Sequence, residues 1–336
     1  MAKDSTFNLF KYFAFFIITI YMLSACHAWA PTELKRPPLK VMFGSFVGEC
    51  PGIIAQEKGF FEAQGVDVKP LNMERLKKRS IKLEQANFSA GKYDGLSLSL
   101  GSFIISSATN PDMQGVVVIN ESTGADVVVA QSQIKTVADL KGKKLGANLG
   151  GFSEVFVNQM LKTANLTSDD VNLVKLEASE IPQYLKNNVI QAGHTWQPHL
   201  SEAMKLGGNI LFTSKQTPGL ILDMIVFRGD IIRDRPEDIR AFVRGWLQAS
   251  KYWKANVQEG NAIISKALKI PNNTLSLEGV NLTDLGENKK LFESSNPNSI
   301  YKTANIYADF FIRSGNVSRI PDLKSLFNSS FLNPAP

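Results

Sequence analysis

The sequence predicts an α/β protein in two lobes, and three observations predict it. One is a strand–turn–helix–strand unit near the start of the folded part, running from "LKVMFGSF" through "GIIAQEKGFFEAQG" to "VDVKPL". Another is the return of that grammar in "KKLGANLG", "GGFSEVFVNQMLKTANL" and "DVNLVKL". The third is the separation of the two units along the chain, which points to two lobes rather than one continuous sheet.

Lys40 to Phe46 is a short apolar run with β-branched and aromatic residues and reads as a strand. Pro51 suits the first turn of a helix. The residues after it carry apolar side chains at helical spacing until Gly65, which closes the helix like a C-cap. A strand, a helix and a second strand in so short a stretch make a βαβ unit with parallel strands. "YDGLSLSLGSFI" and "QGVVVINESTGADVVVA" both read as strand-like, the second nearly continuous in apolar residues and so buried on both faces. In the second unit Gly150 and Gly151 open a helix with apolar Val155, Phe156, Met160 and Leu161. "VIQAGHTW" is a strand, "PHLSEAMKLGG" a short helix and "GLILDMIVFR" a buried strand. From "RPEDIRAFVRGW" to the end the pattern is helical, with Asn, Gly and Pro breaks.

The first residues read as a leader rather than as part of the fold. Lys3 and Lys11 precede a bulky apolar run, Tyr12 to Leu23. About 18 apolar residues are needed to cross a bilayer as a helix, so the run reads as a cleaved secretory signal. "LSAC" resembles the lipobox of bacterial lipoproteins, which makes Cys26 the lipid-bearing first residue of the mature chain. Residues 1–25 are then the signal, and 26–38 a lipidated tether that includes the Pro-rich "APTELKRPP". Ala28-Trp29-Ala30 is a competing cleavage site of the ordinary secretory form and would leave Pro31 first.

Composition narrows the function classes. The chain has 336 residues, 44% hydrophobic and 20% charged, which is globular rather than disordered. Net charge is +6 on 37 basic and 31 acidic residues, and the basic residues are scattered. That is not the dense basic stripe of a nucleic-acid binder. The run Glu74 to Lys82, "ERLKKRSIK", reads as a solvated face, with a minority reading that puts Arg75 or Lys77 at a ligand. Besides Cys26 the only cysteine is Cys50, so the chain has no disulfide framework and no cysteine zinc site. "GHTWQPH" holds His194 and His199 five positions apart, a spacing that puts ligands on one face of neither a helix nor a strand. Both histidines read as incidental, no metal is expected, and no nucleophile stands paired with a base in the sequence. "GGFSE" lacks the Gly-Lys-Ser/Thr of a phosphate loop.

Six segments in order resemble a known family. They are "GSFVGECPGIIAQEKGFFEAQGVDV", "SAGKYDG", "STGADVVVA", "VADLKGKKLGANLGG", "TWQPHLSEAMKLGG" and "PGLILDMIVFR". They are similar to the substrate-binding proteins of ABC importers for nitrate, sulfonates, taurine and thiamine precursors, the NMT1/THI5-like group. The resemblance implies a two-lobed periplasmic-binding-protein fold of type II. Lobe 1 is expected at 39–122 and 224–336, lobe 2 at 123–223, with a hinge and an interlobe cleft. It also implies a monomer in the bacterial cell envelope, lipid-anchored, that binds a small molecule and meets an ABC permease.

In open α/β sheets ligands sit beyond the carboxyl ends of strands, near helix starts. The loops there supply the candidate ligand-binding residues Phe46, Glu49, Ser99, Gly101, Gly151, Ser153 and Trp196, and Ser122 at the crossover and Asp223 near the cleft complete the set. Phe46 and Trp196 follow strands and precede helices, which suits either lobe-edge packing or an aromatic cleft wall. Ser153 is read equally as a helix cap and as a ligand contact. Glu49, Asp126 and Asp223 suit salt bridges or, with Trp196, a cationic or zwitterionic ligand. Asn120, Ser122 and Thr123 lie where the chain crosses between lobes and either bond the ligand or satisfy the hinge backbone. The sign of the ligand's charge stays open. So does the choice between uptake and a sensor that presents its closed form to a membrane receptor. An enzyme is not expected: the pyrimidine-forming relatives use a cysteine-rich motif that this chain lacks.

Overall fold

Residues 36–44, 46–69 and 81–333 are described by a computed structural model. The chain divides into Met1–Pro37 and Pro38–Pro336, and the fold below is that of the second unit. Strand β1 is Val41–Met42, followed by helices α1 (Pro51–Glu57) and α2 (Phe60–Ala63). Pro51 opens α1, where its missing N–H costs nothing. The single helix expected from Pro51 to Gly65 is two. Gly59 separates them at φ 68°, a left-handed conformation that glycine reaches without a Cβ clash. The expected return strand is reduced to a parallel bridge between Leu39 and Val68.

Helix α3 (Ile81–Ser89), strand β2 (Gly95–Ser99) and helix α4 (Leu100–Ser107) follow. "YDGLSLSLGSFI" is therefore not strand throughout. Ser99 accepts a hydrogen bond from the Ser102 N–H at 3.3 Å and caps α4, so the apolar residues beyond it form a helix face. Next come β3 (Met113–Ser122), β4 (Val127–Ala130), β5 (Lys144–Ala147), α5 (Phe152–Lys162), β6 (Asn172–Lys175) and α6 (Ile181–Lys186). They lead to β7 (Ala192–Thr195), α7 (His199–Lys205), β8 (Asn209–Thr213) and β9 (Leu222–Arg228). The rest is α8 (Gly229–Asp234), α9 (Pro236–Ala255), α10 (Val257–Leu268), β10 (Val280–Leu282), α11 (Leu285–Leu291) and α12 (Ile300–Arg313). Strand β10 interrupts a region read from sequence as helical. Its three residues are too few to display a period of two.

The described strands form two five-stranded sheets, in the orders β1-β2-β9-β3-β10 and β6-β5-β7-β4-β8. β1 and β2 are parallel, as are β6, β5 and β7, while β9 and β4 run against their neighbours. The chain crosses between sheets twice, at 123–126 and at 214–221. Register places both crossings on one edge. Asp223 faces Ser99 and Asn120 in the first sheet, and Val127 faces Thr195 and Thr213 in the second. The carboxyl ends of β2, β3, β7 and β8 thus gather with the amino ends of β4 and β9, the place where α/β sheets hold ligands. Away from this edge, α9 closes the first sheet's core. Its Trp246 meets Phe43 edge-on at 5.1 Å, and its Phe242 stacks on Phe61 at 4.8 Å.

Candidate functional site

On the first sheet's side of this edge, Phe46 is half-buried before a 3-10 turn, Val47–Glu49, that leads into α1. Glu49 is buried, and the Ser97 hydroxyl of β2 donates to its carboxylate. Ser99 is half-buried, its hydroxyl 2.9 Å from that of Ser102. Asp223 lies between Ser99 and Asn120 in the sheet and accepts from the Asn120 amide at 3.1 Å. Gly101 is in the first turn of α4, where a Cβ would stand 2.7 Å from the Tyr307 ring and 3.0 Å from Phe152 Cβ. Glycine is what lets this helix start approach α5, which follows a strand of the other sheet.

The crossings are tied by hydroxyls. Ser122 Oγ lies 2.8 Å from Ser214 Oγ and accepts from the Asp126 N–H at 3.1 Å. Ser214 Oγ accepts from the Gly124 N–H at 2.7 Å, and the Thr123 N–H donates to the Gly279 carbonyl at 2.7 Å. Ser122 and Thr123 thus have backbone work at the hinge.

On the second sheet's side, Gly151 precedes α5, and the Gly150 N–H donates to Glu154 at 2.7 Å. Ser153 is 1% exposed, and its hydroxyl lies 2.6 Å from His194 Nδ1. His194 Nε2 lies 3.0 Å from Asp126 Oδ1. This corrects two expectations: His194 is not incidental, and a hydroxyl is paired with an imidazole. An ionised carboxylate only accepts. In the neutral ring Nε2 therefore carries the proton and donates to Asp126, and Ser153 donates to Nδ1. Ser153 also accepts from the Asn148 N–H at 3.2 Å. The ring is packed among Phe152, Phe156 and Trp196, with centroids 5.8, 4.9 and 5.5 Å away. Trp196 is half-buried and lies 6.0 Å from Phe152.

The expected residues therefore form two groups, Phe46, Glu49, Ser99, Gly101 and Asp223 on one sheet and Gly151, Ser153 and Trp196 on the other, with Ser122 at the crossing. The approach of Gly101 to Phe152 joins the groups. Cys26, Arg75 and Lys77 lie outside the described residues. Sequence reasoning missed Phe152, His194 and Tyr307. Tyr307 donates to the Leu220 carbonyl at 3.0 Å. Burial, then the charges of Asp126 and Asp223, push its phenol far up, which marks it as lying within reach of carboxylates from both sheets. Burial and the Glu49 charge likewise push the Cys50 thiol well up, so it stays protonated and unreactive. A cavity of about 220 Å³ between α3 and α4 is lined by Leu96 and Leu98, on the face of β2 opposite Ser97. Among the described residues no three His, Cys, Asp or Glu gather as a metal site.

The chain and its fold both have known counterparts. A protein of Brucella abortus (strain 2308) named "Putative binding protein" is 24% identical over 293 residues, covering 83% of this chain and 86% of its own. One of Bacillus subtilis (strain 168) named "Putative aliphatic sulfonates-binding protein" is 22% identical, covering 95% of each chain. The crystal structure of the periplasmic aliphatic sulphonate binding protein SsuA from Escherichia coli superposes with a TM-score of 0.71 at 16% identity, covering 90% of this chain and 96% of that one. The family model described as "NMT1/THI5 like" matches residues 49–259. The chain belongs to the NMT1/THI5-like family and has the two-lobed α/β fold of periplasmic binding proteins.

Proposed function

We propose that this protein is an extracytoplasmic solute-binding protein that captures a small polar molecule between its lobes and hands it to an ABC importer, without catalysis. The observation that carries this reading is the meeting of two helix starts, at Gly101 and Phe152, on the edge where both crossings and the half-buried Trp196 also lie. Such an edge, hinged at two crossings, closes on a ligand by domain rotation. The crossings support lobes at 39–122 with 224–336 and at 123–223, except that Leu222 and Asp223 pair in the first sheet and go with the first lobe. The leader reading adds a lipid anchor on Cys26 and a place in the cell envelope. The relatives named for sulfonates favour an acidic solute, while Glu49 and Asp223 on the first sheet's side favour an amine, so both signs belong in the test.

The test is a thermal-shift panel of nitrate, ethanesulfonate, taurine, a thiamine-type aminopyrimidine and putrescine on the purified protein. One member is expected to raise stability, by about 2.7 kcal/mol at a hundredfold excess over Kd. Trp196→Ala is expected to abolish the gain while its unliganded unfolding stays cooperative. A folded Trp196→Ala protein that responds like wild type would remove Trp196 from the site. A panel with no response, extended to other small solutes without success, would overturn the solute-binding reading.

A further inference from the structure

We infer that His194 is a positioning residue for the cleft wall: its imidazole ties the crossing at Asp126 to the start of α5 at Ser153, and its charge state sets the direction of the Ser153 hydroxyl and the seating of Phe152 and Trp196. The inference deepens the solute-binding reading and rests on it for its consequence, though not for its geometry. A path runs from Ser214 through Ser122 to the Asp126 N–H, and from the Asp126 carboxylate to His194 and Ser153. It begins at both crossings and ends at the helix start that meets the other lobe. At Ser153 the ring's two protonation states reverse the direction of the bond, which is the two-state element that coupling requires.

The two states differ in hydrogen-bond direction. In the neutral ring Nδ1 takes the Ser153 proton, and a lone pair of Ser153 takes the Asn148 N–H. In the protonated ring both nitrogens donate. Ser153 then accepts from Nδ1 and from Asn148, and its own proton is released to turn elsewhere. Asp126 at the start of β4 keeps its bond in both states. The other titratable groups near the path are Glu154 on α5, held by the Gly150 N–H, and Tyr307 on α12, which senses the charges of Asp126 and Asp223. The imidazole is 1% exposed and enclosed by three aromatic rings, so it cannot shift without moving them. Phe152 in turn lies against the start of α4, its Cβ 3.0 Å from where a Cβ on Gly101 would lie.

The first arm of the test needs no solute. Nitrogen NMR of histidine-labelled protein, with His194 assigned by its loss in His194→Gln, should find the neutral ring protonated at Nε2. The Trp196 indole signal should shift in His194→Gln, which can keep a donor to Asp126 but offers Ser153 no ring nitrogen. A proton on Nδ1 in the neutral ring, or an indole signal that ignores His194, overturns the inference. The second arm measures affinity for the panel member that stabilises the wild type. His194→Gln should bind it about fivefold more weakly, the worth of one buried hydrogen bond. Unchanged affinity would overturn the inference. If His194→Gln does not fold, Ser153→Ala, with the ring intact, takes its place in both arms, with His194 assigned by the remaining histidines. If no panel member binds, the solute-binding reading fails and the first arm alone decides the wall's coupling to His194.

Discussion

Ser153 has a hydroxyl bonded on two sides, to His194 and to the Asn148 N–H, and is 1% exposed. The order carboxylate, imidazole, hydroxyl is that of a hydrolase triad, and roles rather than sequence order define such a triad. A nucleophile must also reach its substrate, and this hydroxyl is enclosed beneath the aromatic wall. We therefore expect wild type and Ser153→Ala to hydrolyse p-nitrophenyl acetate at the same rate, that of buffer. A wild-type excess that Ser153→Ala removes would make the chain an esterase. The sequence hid this cluster because His194 was judged by its distance from His199, whereas its partners are 41 and 68 positions away. A legible signal existed in periodicity. His194 and Trp196 share one strand face, Phe152 and Phe156 share one helix face, and the structure packs those faces together.

Among the elements, α11 shows how a short helix can position the site from outside it. β3 carries a bulge between Val118 and Asn120, which sets Asn120 opposite Asp223. Asn288 on α11 bonds the backbone beside the bulge. Its amide oxygen accepts from the Val118 N–H at 2.8 Å, and its nitrogen donates to the Val118 carbonyl at 2.9 Å. Asp284 and Glu287 fix α11 for this by a reciprocal cap, with bonds of 2.8 and 2.7 Å. Asn288→Ala would strand a buried N–H. The expected loss is about 2 kcal/mol of unfolding free energy in urea, the cost of one unsatisfied buried group with its lost bond. A loss below about 0.5 kcal/mol, the scale of an ordinary surface change, would show that the bulge is held by its strands alone. At this scale the second βαβ unit was fully legible, because its glycine pair and helical period are local. The first unit was legible only in part. Gly59 lies inside the run read as one helix, and nothing local reveals its left-handed φ of 68°. Strand β10 and the role of Asn288 depend on distant partners and left no mark in the sequence pattern.

For the molecule as a whole, the two-lobe reading came from the repeated grammar and the family resemblance. The geometry adds where the lobes touch. α4 and α5 begin on opposite sides of the shared edge, and a Cβ on Gly101 would come within 3.0 Å of Phe152 Cβ. Cβ atoms of a disulfide lie about 3.5–4.5 Å apart, so a bridge there needs an outward shift of α4 that also clears the Tyr307 ring, 2.7 Å from the same Cβ position. Gly101→Cys combined with Phe152→Cys should oxidise to a bridge that holds the helix starts together. The remaining described cysteine, Cys50, is buried with its thiol held protonated and should not compete. The locked protein should exchange its solute far more slowly than wild type, because entry requires the edge to open. Reduction should restore exchange, whatever Phe152 itself contributes to affinity. Exchange measured by equilibrium dialysis before and after dithiothreitol separates the two effects, since the reduced double variant serves as its own control. If the oxidised protein, its bridge verified by mass spectrometry, takes up solute as fast as the reduced one, solute enters by another route. The edge between α4 and α5 would then not be the mouth of the binding site.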